Sequence, residues 1–277
     1  MVHAVEITAP FPNSPRVVYG QNPLIEVICQ VRFPTILRIS SEPPVEFQEQ
    51  VRSEYPVLNV NNTTANIQVP QGVPPAIATL LKDLIPNRKL GGYDFVSADG
   101  KWKVTLTRDF LSLSTQEYRN WQEFRAHLGN PLKALVAVYA PAFFTRIGLR
   151  YQDLIQKSKL GLADSTPWSQ LLRPPISGIL SEQIVSDSVE ECVSQTVIRL
   201  PQFNSKVHVN YGIARTVDKN EECFLIDSDF YSEERTEQNA VDGILNYFNR
   251  QSGRLFRWCI EDRLHTAMQP HPVGATV

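Results

Sequence analysis

Residues 143–155, FFTRIGLRYQDLI, restrict the possible fold most strongly, because their side chains alternate with a period of two. Successive side chains on a strand point to opposite faces of its sheet. One face of this predicted strand is apolar, whereas the other carries Arg146 and Arg150 with Gly148 between them. A glycine there either makes room for a neighbouring side chain or lets a planar or anionic group approach the backbone. The chain therefore requires a sheet with one buried face and one less buried, polar face.

The patterns before this strand predict an N-terminal α+β region. They indicate a strand at 24–33, a short helix at 43–56, a hairpin at 93–107 whose meander continues through residues 110–115, and a long helix at 120–139. Asp99-Gly100 suits a tight hairpin turn. Gly129-Asn130-Pro131 predicts a kink or a split in the long helix. With the strand at 143–155, this order is that of a ferredoxin-like βαββαβ unit.

The rest of the chain predicts a β-meander backed by two helices. Three alternating segments, CVSQTVIRL, KVHVNYGIA and CFLIDSDFY, indicate successive strands, and two apolar stripes separated by Ser252-Gly253 indicate the helices. The end of the chain, PHPVGATV, is predicted to be a frayed tail, and residues 59–75 an exposed polar excursion. We thus predict an α+β fold with a ferredoxin-like region at 1–158, a crossing segment at 159–189 packed down by Trp168, and the meander with its helices at 190–277.

Composition excludes several classes of protein. The chain is 42% hydrophobic and 20% charged, which is ordinary for a globular protein. Its 27 basic and 29 acidic residues give no overall attraction to nucleic acid or anionic lipid. The N-terminus lacks the pattern of a signal peptide, and no apolar run is long enough to span a bilayer, so a soluble, cytoplasmic protein is expected. The four cysteines are scattered singly, which predicts reduced thiols and no metal or other cofactor.

The order of several motifs also resembles a known family. The segments are NPLIEV, PPVEFQEQVRSEYP, RIGLRYQDLI, LIDSDFY and FRWCIEDRL. Together they resemble a sporadically distributed family of uncharacterised prokaryotic, mostly bacterial, proteins of about this length, which has no assigned activity. Its patchy distribution implies mobile or conflict-related genes, such as defence or toxin–antitoxin loci.

Four charged residues form the candidate site. Asp227 and Asp229 lie two apart and share a face of their predicted strand, as Arg146 and Arg150 do on theirs. If the two strands are neighbours, the four side chains pair across the sheet. Two other interpretations stay open. Arg146 and Arg150 could hold an anion or a nucleic acid, or Asp227 and Asp229 could bind Mg²⁺ in a nucleotidyl- or phosphoryl-transfer enzyme.

The sequence favours a non-enzymatic interaction or regulatory module with a protein partner over these alternatives. It contains no GxSxG, P-loop or GxGxxG motif. Only helices are predicted after Tyr231, so the chain beyond it offers no hairpin carboxylate to complete a metal site with Asp227 and Asp229. Base stacking on KWKVTL is disfavoured because Trp102 alternates with the lysines and so shares the core face.

Overall fold

The computed structural model describes residues 10–61, 92–217 and 219–272. Its strands are β1 Val17–Tyr19, β2 Leu24–Arg32, β3 Val57–Asn61, β4 Gly92–Val96, β5 Trp102–Leu106, β6 Phe110–Thr115, β7 Arg146–Gln156, β8 Val193–Arg199, β9 Lys206–Arg215, β10 Glu222–Ser232 and β11 Pro270–Pro272. Its helices are α1 Arg38–Ser41, α2 Val45–Val51, α3 Trp121–Tyr139, α4 Pro174–Ser177, α5 Val241–Cys259 and α6 Asp262–Ala267. No helix in these ranges is long and apolar enough to cross a membrane.

Nine strands form one antiparallel sheet in the order β3-β4-β5-β6-β2-β7-β10-β9-β8, and β1 pairs with β11 in a second, two-stranded sheet. The predicted α+β class is therefore confirmed. The ferredoxin-like arrangement is not, because four strands, β3 to β6, lie between α2 and α3 where that unit has a hairpin. Residues 59–61 belong to β3, and the remainder of the predicted excursion, residues 62–75, lies outside the described residues.

The two faces of the large sheet differ, as the segment at 143–155 predicts. One row of the strand register is buried across the seven inner strands and consists of Phe95, Val104, Leu113, Cys29, Leu149, Phe230 and Val207. Helices α2, α3 and α5 pack on this face through ring contacts of Phe47, Phe124 and Phe248 with strand residues. The buried apolar residues of the described helices all join this one core. We call it the core face, and the opposite side the polar face.

Helix α3 continues through Pro131, so the prediction that it could split is wrong. Proline has no backbone N–H and leaves the carbonyl four residues earlier, that of His127, without its helical hydrogen bond. The Tyr55 hydroxyl donates to this carbonyl at 2.9 Å. Helix α3 therefore tolerates its proline because a side chain from the segment after α2 replaces the missing donor.

Two predictions about the C-terminal part are also corrected. Helix α5 runs through Ser252-Gly253, and the break between the helices comes at Ile260-Glu261. Buried Phe248 and Leu255 lie on either side of Gly253, and their packing outweighs its helix-propensity cost of about 1 kcal/mol. The predicted frayed tail begins instead with β11, whose His271 pairs in register with Val18, whereas residues 273–277 lie outside the described ranges.

Strand β7 joins the two halves of the chain. It pairs with β2 on one side and with β10 on the other, so the sheet continues across the predicted boundary at 159–189. Within that crossing segment Trp168 is buried, as predicted, and its ring lies 5.4 Å from that of Phe224. The division into regions 1–158, 159–189 and 190–277 stays a prediction that limited proteolysis can test.

Candidate functional site

The predicted pairing of the four charged residues is confirmed on the polar face. Arg150 donates through Nε and Nη2 to the two carboxylate oxygens of Asp227 at 2.7 and 2.8 Å. Arg146 donates through Nη2 to Asp229 Oδ2 at 2.7 Å. Strands β7 and β10 are neighbours, but the register places Arg150 opposite Asp229. Both pairs are therefore diagonal, and each arginine reaches past its nearest cross-strand neighbour.

Gly148 makes the longer of these diagonals possible. A Cβ atom on Gly148 would lie only 2.2 Å from Nη1 of Arg146, so the guanidinium occupies the space above the glycine backbone. Gln30 and Tyr231 are the register neighbours of Gly148 on β2 and β10. Arg146 reaches both, since its Nη1 lies 3.4 Å from Gln30 Oε1 and its Cζ lies 5.0 Å from the centre of the Tyr231 ring. The glycine thus makes room for a neighbouring side chain.

The two ion pairs differ in burial and therefore in the strength of their coupling. The side chains of Arg150 and Asp227 are 11% and 1% exposed, against 18% and 28% for Arg146 and Asp229. Burial opposes the charge on Arg150, but the carboxylates of Asp227, Asp229 and Glu26 together outweigh this effect, and the pKa of Arg150 is raised. Burial raises the pKa of Asp229, and the two arginines oppose that rise. The Arg150–Asp227 pair is a bidentate bond in a protected environment, the geometry in which such pairs couple most strongly.

A polar row extends from this cluster to the edge of the sheet. Asp227, Asn210 and Gln195 are register partners on β10, β9 and β8, and Asn210 Nδ2 lies 3.5 Å from Asp227 Oδ2. Gln195 contacts Nε2 of His208, the register partner of Asp229. Burial lowers the pKa of His208, so its ring is neutral at pH 7 and can accept a hydrogen bond from the Gln195 amide. The row ends at Gln195, which is exposed.

The edge strand β8 presents backbone groups that no described residue binds. Just beyond the two ends of β8, the amide of Leu200 donates to Ser205 O, and Cys192 O accepts from the amide of Ile213. The even-numbered residues of this segment therefore bond to β9. Because bonding direction alternates along an antiparallel strand, the amides of Gln195, Val197 and Arg199 point away from the sheet. Residues 195–197 are exposed, Val197 to 54%.

The chain matches no model of a known protein family and no curated protein. No group of three or more His, Cys, Asp or Glu side chains in the described ranges could hold a metal ion. The four cysteines are free thiols, as predicted. The geometry of the molecule therefore carries the functional interpretation.

Sequence reasoning missed a second polar region, which lies on the core face. A cavity of about 240 Å³ is bounded by β7, β10, α5, the start of α3 and the segment at Ser14–Tyr19. Asp153 and Ser228 form part of its wall and are 6% and 4% exposed. A signal for both residues is present in the strand patterns, because each is a polar residue in the apolar phase of its strand.

Proposed function

We propose that this chain is a non-enzymatic interaction module that binds a protein partner by adding a strand of that partner to the outer edge of β8. The observation that supports the proposal is the open backbone edge of β8 beside a built polar row. Main-chain hydrogen bonds would supply affinity in such a complex, and contacts with alternate side chains would supply specificity.

The sequence of β8 supports this proposal. Proteins usually protect edge strands with proline, lysine, bulges or very short strands. Strand β8 is VSQTVIR, with no proline and a single charged residue, Arg199. Its pairing with β9 shows no shift of register over seven residues. The opposite edge strand, β3, runs into residues outside the described ranges, whereas β8 is described along its full length.

The two alternatives from the sequence receive less support from the geometry. Both carboxylate oxygens of Asp227 already accept from Arg150, and Asp229 accepts from Arg146. A magnesium ion would have to displace these guanidinium groups before it could bind the carboxylates. The arginines are engaged in the same way, so an anion or a nucleic acid would have to compete for them with the carboxylates of Asp227 and Asp229.

The biological setting stays a prediction. A cytoplasmic protein in a defence or toxin–antitoxin locus is implied by the family resemblance alone. The strand-addition proposal does not depend on that setting, because it rests on the backbone of β8.

The test uses a proline at an outward-pointing position. Val197→Pro removes an amide that does not bond to β9, so the variant should keep its fold and its melting temperature to within a few degrees. Val197→Thr is the matched control, because it keeps the outward N–H and the β-branched side chain. Affinity purification from a native host should recover a stoichiometric protein with the wild type and with Val197→Thr, but not with Val197→Pro.

Hydrogen exchange on the purified complex then locates the contact. Strand addition should protect the amides of Gln195, Val197 and Arg199 relative to the free protein. Retention of the partner by Val197→Pro, or protection confined to other strands, would refute the proposal. A wild-type homodimer that Val197→Pro converts to a monomer would show that the edge serves self-association instead.

A further inference from the structure

The cavity on the core face has a polar floor formed by two neighbouring strands. Tyr151 and Asp153 come from β7 and Ser228 from β10, where Ser228 is the register partner of Tyr151. Asp153 and Ser228 make no side-chain hydrogen bond or ion pair with any described residue, although both are more than nine-tenths buried. Burial raises the pKa of the Asp153 carboxyl well above its ordinary range. The floor thus presents a carboxyl group and a hydroxyl group to the cavity, and the hydroxyl can both donate and accept.

Asp153 and Ser228 line the cavity without a hydrogen-bond partner from the described residues. Polar groups inside a protein usually have such a partner. A polar molecule in the cavity would supply the hydrogen bonds that the described residues do not. A merely structural packing site would use apolar residues at these positions, as Ile147 and Phe230 do elsewhere on the same face.

The rim of the cavity is positively charged. Five arginines line the cavity, with Asp153 as its single acidic residue, and they are Arg16, Arg119, Arg250, Arg254 and Arg257. Arg250, Arg254 and Arg257 lie on α5, and the intervals of four and three residues between them place their side chains along one stripe of that helix. Arg250 and Arg254 form no ion pair with a described residue, and Arg254 is half-buried. Arg119 and Arg257 are paired with Glu123 and Asp262, so the other three arginines supply most of the local positive field that attracts anions.

A hydrogen-bond network holds the wall between the floor and the rim in place. Asn249 donates to the Tyr151 hydroxyl at 2.9 Å, and Arg16 donates to Asn249 Oδ1 at 2.5 Å. The Tyr118 ring meets the Tyr151 ring edge to face, with centroids 6.0 Å apart. These contacts fix the shape of the cavity without using Asp153, Ser228 or Arg254. Those three groups are therefore free to contact a bound molecule.

We infer that this cavity binds a small organic anion, with a phosphate or carboxylate group held by the rim arginines and hydroxyl or amino groups held by Asp153 and Ser228. Guanidinium groups bind both kinds of anion in a bidentate manner. The volume of about 240 Å³ lies just below the usual range of about 300–1,000 Å³ for drug-sized ligands. A molecule the size of a sugar phosphate or a sugar acid therefore fits, whereas a dinucleotide does not. This site is separate from the β8 edge and uses the other face of the sheet.

Calorimetric titration of the full chain with four probes tests this inference. The probes are ribose 5-phosphate, ribonate, ribose and inorganic phosphate, which separate the contribution of the anionic group from that of the hydroxyls. Ribose 5-phosphate or ribonate should bind at least about tenfold more tightly than ribose. If ribose 5-phosphate binds more tightly than ribonate, the site prefers a phosphate group, and the reverse order indicates a carboxylate group.

Three variants connect binding to this cavity. Arg254→Gln should weaken binding of the preferred probe at least about tenfold, since it removes a charge-assisted contact. Ser228→Ala should weaken binding of that probe while leaving the affinity for inorganic phosphate unchanged. Arg52→Gln removes an equal charge from an exposed position at the end of α2 and should change nothing. Neither Ser228 nor Arg254 makes a hydrogen bond to a described side chain, so both variants should melt like the wild type.

Two results would overturn the inference. One is that neither ribose 5-phosphate nor ribonate binds more tightly than ribose. The other is that Arg52→Gln weakens binding as much as Arg254→Gln does, which would show a general charge effect of the surface.

Discussion

Replacing Gly148 by alanine should destabilise the protein through Arg146 and not through the backbone. Gly148 does not have a positive φ, so its backbone accepts an alanine. The new Cβ would lie 2.2 Å from Arg146 Nη1, so the guanidinium would have to move away from its place above β7. That movement breaks the 2.7 Å bond to Asp229. It leaves the bidentate Arg150–Asp227 pair intact.

The burial of the pair sets the expected magnitude. Arg146 and Asp229 are 18% and 28% exposed, between the surface pairs that contribute about 0–1 kcal/mol and the buried pairs whose rupture costs about 3–5 kcal/mol. We expect a loss of about 1–2 kcal/mol, after a discount for solvent screening. Alanine also restricts the unfolded chain, which stabilises the folded state by about 0.4–1 kcal/mol. The net change in the free energy of unfolding should be a loss of up to about 1.6 kcal/mol.

Urea unfolding in two backgrounds tests this account. In Arg146→Ala the obstruction is absent, so Gly148→Ala should be neutral or stabilising there by about 0.4–1 kcal/mol. The destabilisation caused by the glycine substitution in the wild type should therefore be absent in the Arg146→Ala background. Equal destabilisation in both backgrounds would mean that Gly148 is required for a reason unrelated to Arg146, and the reasoning would be wrong.

Three further predictions concern other buried polar groups. Arg150→Gln and Asp227→Asn should each lower the free energy of unfolding by about 3–5 kcal/mol. The double variant should lose much less than the sum of the two single losses. Additive losses in denaturant unfolding would show that the two residues do not couple. Tyr55→Phe should cost about 1–3 kcal/mol and much less in a Pro131→Ala background, where residue 131 can again donate its amide; an equal cost in both would contradict the proposed bond to the helix carbonyl. The pKa of Asp153 is raised on folding. Above about pH 3.9 the folded state therefore binds more protons than the unfolded state, and the free energy of unfolding falls as the pH rises toward the folded pKa. Asp153→Asn should remove that decline, and parallel stability–pH curves for the variant and the wild type would contradict it.

Most of the secondary structure was predictable because local patterns determine it. The strand at 143–155, the long helix from Trp121 and the hairpin at Asp99-Gly100 all follow from periodicity and turn chemistry. The errors came where distant contacts outweigh local preference. Pro131 stays within a helix because Tyr55, far away in sequence, supplies the missing donor. Strand β11 forms because the chain end pairs with β1, and no local signal shows that pairing.

The candidate site was predictable as a set of residues but not as a geometry. Alternation places both arginines on one face and both aspartates on another, and opposite charges suggest that the strands are neighbours. The register depends on the whole sheet, so the sequence could not show that Arg150 pairs with Asp227 and reaches past Asp229. For the same reason Gly148 was ambiguous from the sequence. Only the diagonal path of Arg146 explains why no side chain fits there.

Strands β7 and β10 carry polar groups on both of their faces, and the two sets have different consequences. On the polar face the charges satisfy one another, since Arg150 and Asp227 bond at two positions. On the core face Asp153 and Ser228 bond to no described residue and line the cavity. A polar residue in the apolar phase of a strand needs no ligand where the protein supplies its partner, as Phe203 O does for Ser232. It indicates a ligand where the described residues supply no partner and the side chain lines a cavity. By this criterion the strongest indication of a ligand in the sequence is the aspartate of RYQDLI, two positions after the tyrosine in the apolar phase.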